Sequence, residues 1–172
     1  MKNIISKNLP DEIYVMIEIP MNSDPIKYEV DKETGFLHVD RFLPVAMRYP
    51  CNYGFMPSSL GGDGDPIDVL VITQYPIISG AIIEARPIGA LVTEDENGID
   101  EKIIAFPKVK SEPLFAHIKD IDDLHDLMKK QIKHFFEHYK DLETNKWVKV
   151  KDWIGAKEAK ELIVKYTSAS NE

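Results

Sequence analysis

Between residues 13 and 106 the apolar positions come in short runs, many rich in valine and isoleucine, punctuated by proline and glycine. That pattern predicts strands at 13–19, 26–31, 36–40, 68–72, 81–92 (bent near Pro87) and 102–106. Beyond this region the period changes. Leu124, Leu127, Met128, Ile132, Phe135, Phe136, Tyr139 and Leu142 recur at steps of three and four, which predicts an amphipathic helix starting near Asp122. Ala156, Ala159, Leu162, Ile163 and Tyr166 repeat the pattern in a second, shorter helix. No internal repeat, low-complexity segment or Gly/Ser linker interrupts the chain. The expected architecture is therefore mainly β, a barrel or strongly coiled sheet with helices packed outside, in one domain over 1–172.

Bulk properties narrow the function classes. Hydrophobic residues make up 44% of the chain and charged residues 29%, as in an ordinary globular protein. The formal net charge of −8 argues against a nucleic-acid partner, which requires a basic surface. The longest uncharged stretch, 69–83, is broken by Gln74, Pro76 and Gly80 and is too short to cross a bilayer, so no membrane partner is expected. Cys51 is the only cysteine, which excludes an intrachain disulfide and fits a reducing cytosol. The first twelve residues contain no apolar core of a secretory signal.

The segment Gly62-Asp63-Gly64-Asp65-Pro66-Ile67-Asp68 holds three carboxylates within six residues, directly before the apolar run 69–72. Crowded carboxylates repel one another, and a hard divalent cation such as Mg²⁺, Mn²⁺ or Ca²⁺ is the commonest compensation. The alternative is a solvated acidic turn, since Gly, Asp and Pro are ordinary turn residues. An EF-hand is excluded, because positions six and twelve counted from Asp63 hold Asp68 and Gln74 rather than Gly and Glu. Glu18 lies on the same strand face as Tyr14 and Met16, where a carboxylate is costly unless paired or metal-bound. Lys27 and Glu29 also share a face, either as a weak solvated pair or as part of a site.

Asn97-Gly98 signals a type I′ hairpin, which would set Asp95 opposite Asp100 and Glu94 opposite Glu101, with Lys102 on the face of Asp100. Pattern alone leaves open which acidic pair is functional. Arg41 is suited to a bidentate grip on phosphate. Tyr49 and Tyr53, four apart in a loop bounded by Pro50 and Gly54, read as core or as hydroxyl donors to a ligand, with core preferred. His134 to His138 matches an H-x-x-E-H spacing, but Glu137 points away from the apolar stripe, which disfavours a zinc site. Cys51 reads as a small buried hydrophobe.

With these residues laid out, the chain resembles the family I soluble inorganic pyrophosphatases of bacterial type. The signature is Asp63-Gly64-Asp65-Pro66-Ile67-Asp68-Val69, and the resemblance extends to Glu18, Lys27 to Glu29, Asp40-Arg41, Tyr49 to Gly54, Asp95, Asp100, Lys102 and residues 134–141. It implies a cytoplasmic homohexamer on an OB-type five-stranded barrel, hydrolysing pyrophosphate to two orthophosphates with Mg²⁺, for which Mn²⁺ can substitute. By position it implies Asp63, Asp68 and Asp100 as ligands of a first metal, with Asp68 bridging to a second. Asp95 and Asp100 would hold metal arriving with substrate, Glu29 would act through water, and Glu18 would support the metal shell. Lys27, Arg41, Tyr53, Lys102, Tyr139 and Lys140 would grip phosphate, and Asp65 would be the general base. Two other readings are an Mg²⁺-dependent hydrolase of another phosphoanhydride and a non-catalytic OB-type binding module.

Overall fold

The computed structural model describes residues 4–62 and 64–169. Strands β1 (Ile13–Ile19), β2 (Ile26–Val30), β3 (Leu37–Phe42), β4 (Asn52–Phe55), β5 (Asp68–Val71), β6 (Ile82–Asp95) and β7 (Gly98–Pro107) precede α1 (Asp126–His138). Strand β8 (Val148–Gly155) and helix α2 (Ala156–Ala169) follow. The main sheet runs β1-β4-β5-β7-β6-β8, and an additional β1–β6 pairing closes its first five strands into a ring. Within it β5 and β7 are parallel, and the other paired strands are antiparallel. Strands β2 and β3 form a hairpin that pairs with no strand of the ring.

Both faces of the ring are covered. On β5 and β7, Leu70 and Ile104 join a core that contains Ile132, Phe135 and Phe136 of α1. Their sequence neighbours Val69, Val71, Ile103 and Ala105 join a second core that contains Ala159 and Ile163 of α2. Strands buried on two sides read as unbroken apolar runs, which is why 69–72 shows no alternation. The helix expected from Asp122 begins at Asp126, because Ile121–Asp123 forms a 3₁₀ turn capped by Asp120, and His125 caps α1 by accepting from Leu127 N at 3.1 Å.

The bend expected near Pro87 is a register shift between Pro87 and Gly89. Proline has no N–H for the ladder. The hairpin loop lies one residue earlier than expected, which shifts the cross-strand partners by two. Asp95 faces Gly98, and Thr93 faces Asp100, so the loop is Glu96-Asn97. A type I′ turn on Asn97-Gly98 needs positive φ at both residues; Gly98 has φ +123°, but Asn97 is not among the described residues of positive φ. Asp95 Oδ1 accepts from Asn97 N at 2.8 Å and closes the turn one residue earlier. Asp95 and Asp100 thus sit diagonally on one face instead of directly opposed, which relieves their repulsion.

Strand β4 passes very close to β1. A Cβ on Gly54 would lie 1.9 Å from Met16 O, a clash with backbone that no rotamer relieves. Gly62 faces open space. Gly54→Ala is therefore expected to lose ~3 kcal/mol or more in urea unfolding, and Gly62→Ala to stay within about 0.5 kcal/mol. Equal midpoints for the two variants would contradict the close approach.

Candidate active site

Except for Asp63, which lies outside the described residues, every expected site residue lines one cleft of about 300 Å³. Its centre is built by the parallel register of β5 and β7, which sets Asp68 beside Lys102. Asp100 lies two residues earlier on the same face of β7. The Lys102 ammonium is 2.7 Å from Asp68 Oδ2 and 2.7 Å from Asp100 Oδ2. Only 3% of its side chain is exposed, and it lies 5.2 Å from the ring centroid of Phe136 and 5.8 Å from that of Tyr53. Burial alone would depress the pKa of Lys102; the carboxylates of Asp100 and Asp68 outweigh it and hold the amine well above the usual lysine range. Burial likewise raises the pKa of Asp68, against the pull of Lys102.

Tyr53 belongs to the core and also lines the cleft. Its ring packs 5.3 Å from that of Tyr49, while its hydroxyl donates to Asp68 Oδ2 at 2.5 Å. Tyr49 is nearly inaccessible and packs 4.6 Å from Phe135, and Tyr139 stacks on Phe135 at 5.3 Å. Beside Tyr139, at the end of α1, Lys140 Nζ lies 2.9 Å from Asp95 Oδ2 and 3.5 Å from Glu96 Oε1. Burial would raise the pKa of Asp95, but the hydrogen bonds from Lys140 and Asn97 lower it overall.

The β2–β3 hairpin forms the opposite wall. Lys27 and Arg41 are register partners. Lys27 pairs with Glu29 and, at 3.5 Å, with Asp40. Arg41 pairs with Asp40 and, through Nε at 3.0 Å, with Glu143. Beneath the hairpin Glu18 is 7% exposed and accepts from Val30 N at 2.7 Å. Burial pushes its pKa up to about 7, and Asp68 and Glu29 add to the rise. Asp65 stands on the exposed loop between Gly61 and Asp68 and forms an ion pair with Lys32 of the β2–β3 turn. That loop is tied down on both sides: Ile67 N donates to Ser59 Oγ at 2.9 Å, and Leu60 N donates to Tyr166 O of α2 at 3.0 Å. Gly64 supplies its turn with φ +88°.

Lys32, Lys146 and Glu96, which no sequence motif singles out, also line the cleft. Each is a charged residue in a turn, and only three-dimensional proximity marks it. His134 and His138 lie elsewhere, with rings 4.7 Å apart on the exposed side of α1 and His138 Nδ1 2.8 Å from Asp141. Cys51 is buried, and burial pushes its thiol up to about 12, so it is no nucleophile.

The cleft interleaves carboxylates with fixed cations. Its acids offer only hard oxygen donors, with no histidine or cysteine among the lining residues, and that donor set fits Mg²⁺ rather than zinc. Among the described residues no three acidic, histidine or cysteine side chains converge closely enough to enclose an ion by themselves. Lysines stand between them, as Lys102 does between Asp68 and Asp100.

A family model described as inorganic pyrophosphatase matches residues 15–171. The inorganic pyrophosphatase of Rickettsia prowazekii is 57% identical over 162 residues, 94% of each chain. That of Escherichia coli K12 is 55% identical over 167 residues, 96% of this chain and 95% of the other. Among solved structures, the inorganic pyrophosphatase from Helicobacter pylori superposes with TM-score 0.96 at 47% identity, covering 100% of both chains. The one from Thermus thermophilus gives 0.95 at 39%, covering 99% of this chain and 98% of that one.

Burial of Glu18 makes the stability of the protein depend on pH. The folded pKa of Glu18, about 7, exceeds the ordinary value of 4.5, so the folded state holds the extra proton between these two. Stability of the metal-free protein therefore falls as pH rises through that window and levels off above it. Glu18→Gln cannot titrate, so its stability relative to wild type should improve by about 2 kcal/mol between pH 5.5 and pH 8, read by urea unfolding in EDTA. A difference that stays flat with pH would contradict the raised pKa of buried Glu18.

Proposed function

The chain belongs to the inorganic pyrophosphatase family, an enzyme that splits pyrophosphate into two orthophosphates, and from that premise we propose how its cleft does so. The observation that carries the reading is the meeting, in one cleft, of residues from β1, β2, β3, β5, β7, the acid loop and the end of α1, with acids and cations alternating.

Pyrophosphate is a compact polyanion, and its own charge repels an attacking water. Lys27, Arg41, Lys102 and Lys140 offset that charge, while the hydroxyls of Tyr53 and Tyr139 orient the phosphoryl oxygens. Held against Asp68 and Asp100, Lys102 is fixed before substrate arrives, so little ordering remains to be done on binding. Asp65 accepts the proton of the attacking water as its oxygen bonds to one phosphorus and the bridging P–O bond breaks. The second phosphate departs with the bridging oxygen. Asp63, Asp68 and Asp100 would hold Mg²⁺, with Asp68 shared between two ions, Asp95 and Asp100 receiving metal with the substrate, Glu29 acting through water and Glu18 behind them. When bound, Mg²⁺ supplies Lewis acidity, neutralising phosphoryl charge and acidifying water. Mn²⁺ shares its preference for oxygen and is the expected substitute. A cytoplasmic homohexamer is the assembly this reading carries with it.

Purified protein is expected to release orthophosphate rapidly from pyrophosphate with Mg²⁺, with little release without it and little from ATP. No release from folded, Mg²⁺-supplied protein would overturn the reading in favour of a binding module. Two substitutions separate the roles of the acids. Asp65→Asn should cut turnover by roughly 10²–10⁴-fold with Mg²⁺ affinity nearly intact. Asp68→Ala should weaken Mg²⁺ binding itself, measured calorimetrically. Parallel losses of rate and metal affinity in Asp65→Asn would remove it as the base.

A further inference from the structure

The mechanism leaves one buried carboxylate without a task. Glu143 lies in the turn between α1 and β8, three residues beyond Lys140, and Glu143 N donates to Lys140 O at 2.9 Å. Its side chain is 10% exposed. Glu143 Oε2 is 3.0 Å from Arg41 Nε and 3.1 Å from Lys146 Nζ, and both cations line the cleft. Arg41 Nε and Glu143 Oε1 are buried without a hydrogen bond, so Glu143 holds Arg41 by charge at close range rather than by an aligned bond. A buried, half-satisfied carboxylate costs stability. What offsets that cost here is the anchoring of two cations.

The topology leaves Arg41 in need of a reference outside its own hairpin, whose other ties to the ring, Val30 N to Glu18 and Lys32 to Asp65, do not touch it. Arg41 belongs to the β2–β3 hairpin, which no strand pairing joins to the ring. Asp40 holds Arg41 from within the hairpin and moves with it. Glu143 instead stands on the turn that closes α1, whose Phe135 and Phe136 are part of the main core. It therefore fixes Arg41 with respect to Lys140, Tyr139 and the central acids. A planar guanidinium suits this arrangement, because with Nε against Glu143 and one terminal nitrogen against Asp40 it still has N–H donors left for an anion.

We propose that Glu143 is a positioning residue that aims the Arg41 guanidinium, together with the Lys146 ammonium, at the phosphate of the bound substrate. The inference rests on the reading of Arg41 as a phosphate contact. Glu143 touches neither substrate nor reacting atoms and acts through Arg41.

The test uses the full-length enzyme with Mg²⁺. Glu143→Gln preserves shape and removes the charge. It is expected to raise the KM for pyrophosphate and weaken inorganic phosphate binding roughly fivefold to tenfold, with a smaller change in kcat. In an Arg41→Met background the same substitution should add less than about twofold, because the residue it acts through is gone. Glu143→Asp, which keeps the charge but shortens the reach, should fall between the two and serves should the glutamine variant fail to fold. Wild-type phosphate affinity in both Glu143 variants, or an undiminished Glu143→Gln effect once Arg41 is replaced, overturns the proposal. If Arg41→Met itself leaves phosphate binding unchanged, the Arg41 reading is what has failed, and this inference fails with it.

Discussion

Acids cannot crowd into one cleft unless cations stand between them, and that constraint organises this protein. Its tightest expression is Lys102, enclosed by Asp68, Asp100 and two aromatic rings. In such surroundings an unpaired carboxylate or an unpaired ammonium would each be costly, and together they are tolerated. The pattern repeats at Lys140 with Asp95, at Lys27 with Glu29 and Asp40, and at Lys32 with Asp65. Glu18 accepts from a backbone donor and, among the described residues, forms no ion pair, and its burial raises its pKa.

Backbone geometry enforces the interleaving. A parallel β5–β7 register is needed to bring Asp68 level with Lys102, and the two-residue period of β7 then places Asp100 on the same face. Because each face of those strands packs against its own core and helix, a slip by one residue would exchange the charged and apolar sets. The same burial that stabilises the ring therefore fixes the spacing of the charges.

Much of this is written locally in the chain. The apolar runs of β1 and β5, the carboxylate cluster before β5 and the helical periods of α1 and α2 are all short-range signals. Two strands were not legible. In β4, Asn52-Tyr53-Gly54-Phe55 has the composition of a loop, and its glycine reflects a backbone contact with β1 that no local pattern encodes. Strand β8 pairs only with β6, at the edge of the sheet, and exposes Lys149 and Lys151, so its alternation looks like surface. The hairpin partners lie two residues from the expected ones because an aspartate side chain, not the Asn-Gly pair, closes the turn one residue earlier. Of the site, residues inside motifs could be picked out. Lys32, Glu143 and Lys146 could not, since Lys32 and Glu143 meet partners distant in sequence and Lys146 is marked only by the cleft it lines.

The β2–β3 hairpin carries Lys27, Glu29 and Arg41, yet a two-stranded sheet has little stability of its own. The strand pairings that close the ring are made without the hairpin. Losing the ability to process substrate and losing the fold are therefore separable events. A local opening confined to the hairpin wall would scatter Lys27, Glu29 and Arg41 and leave every strand pairing of the ring in place.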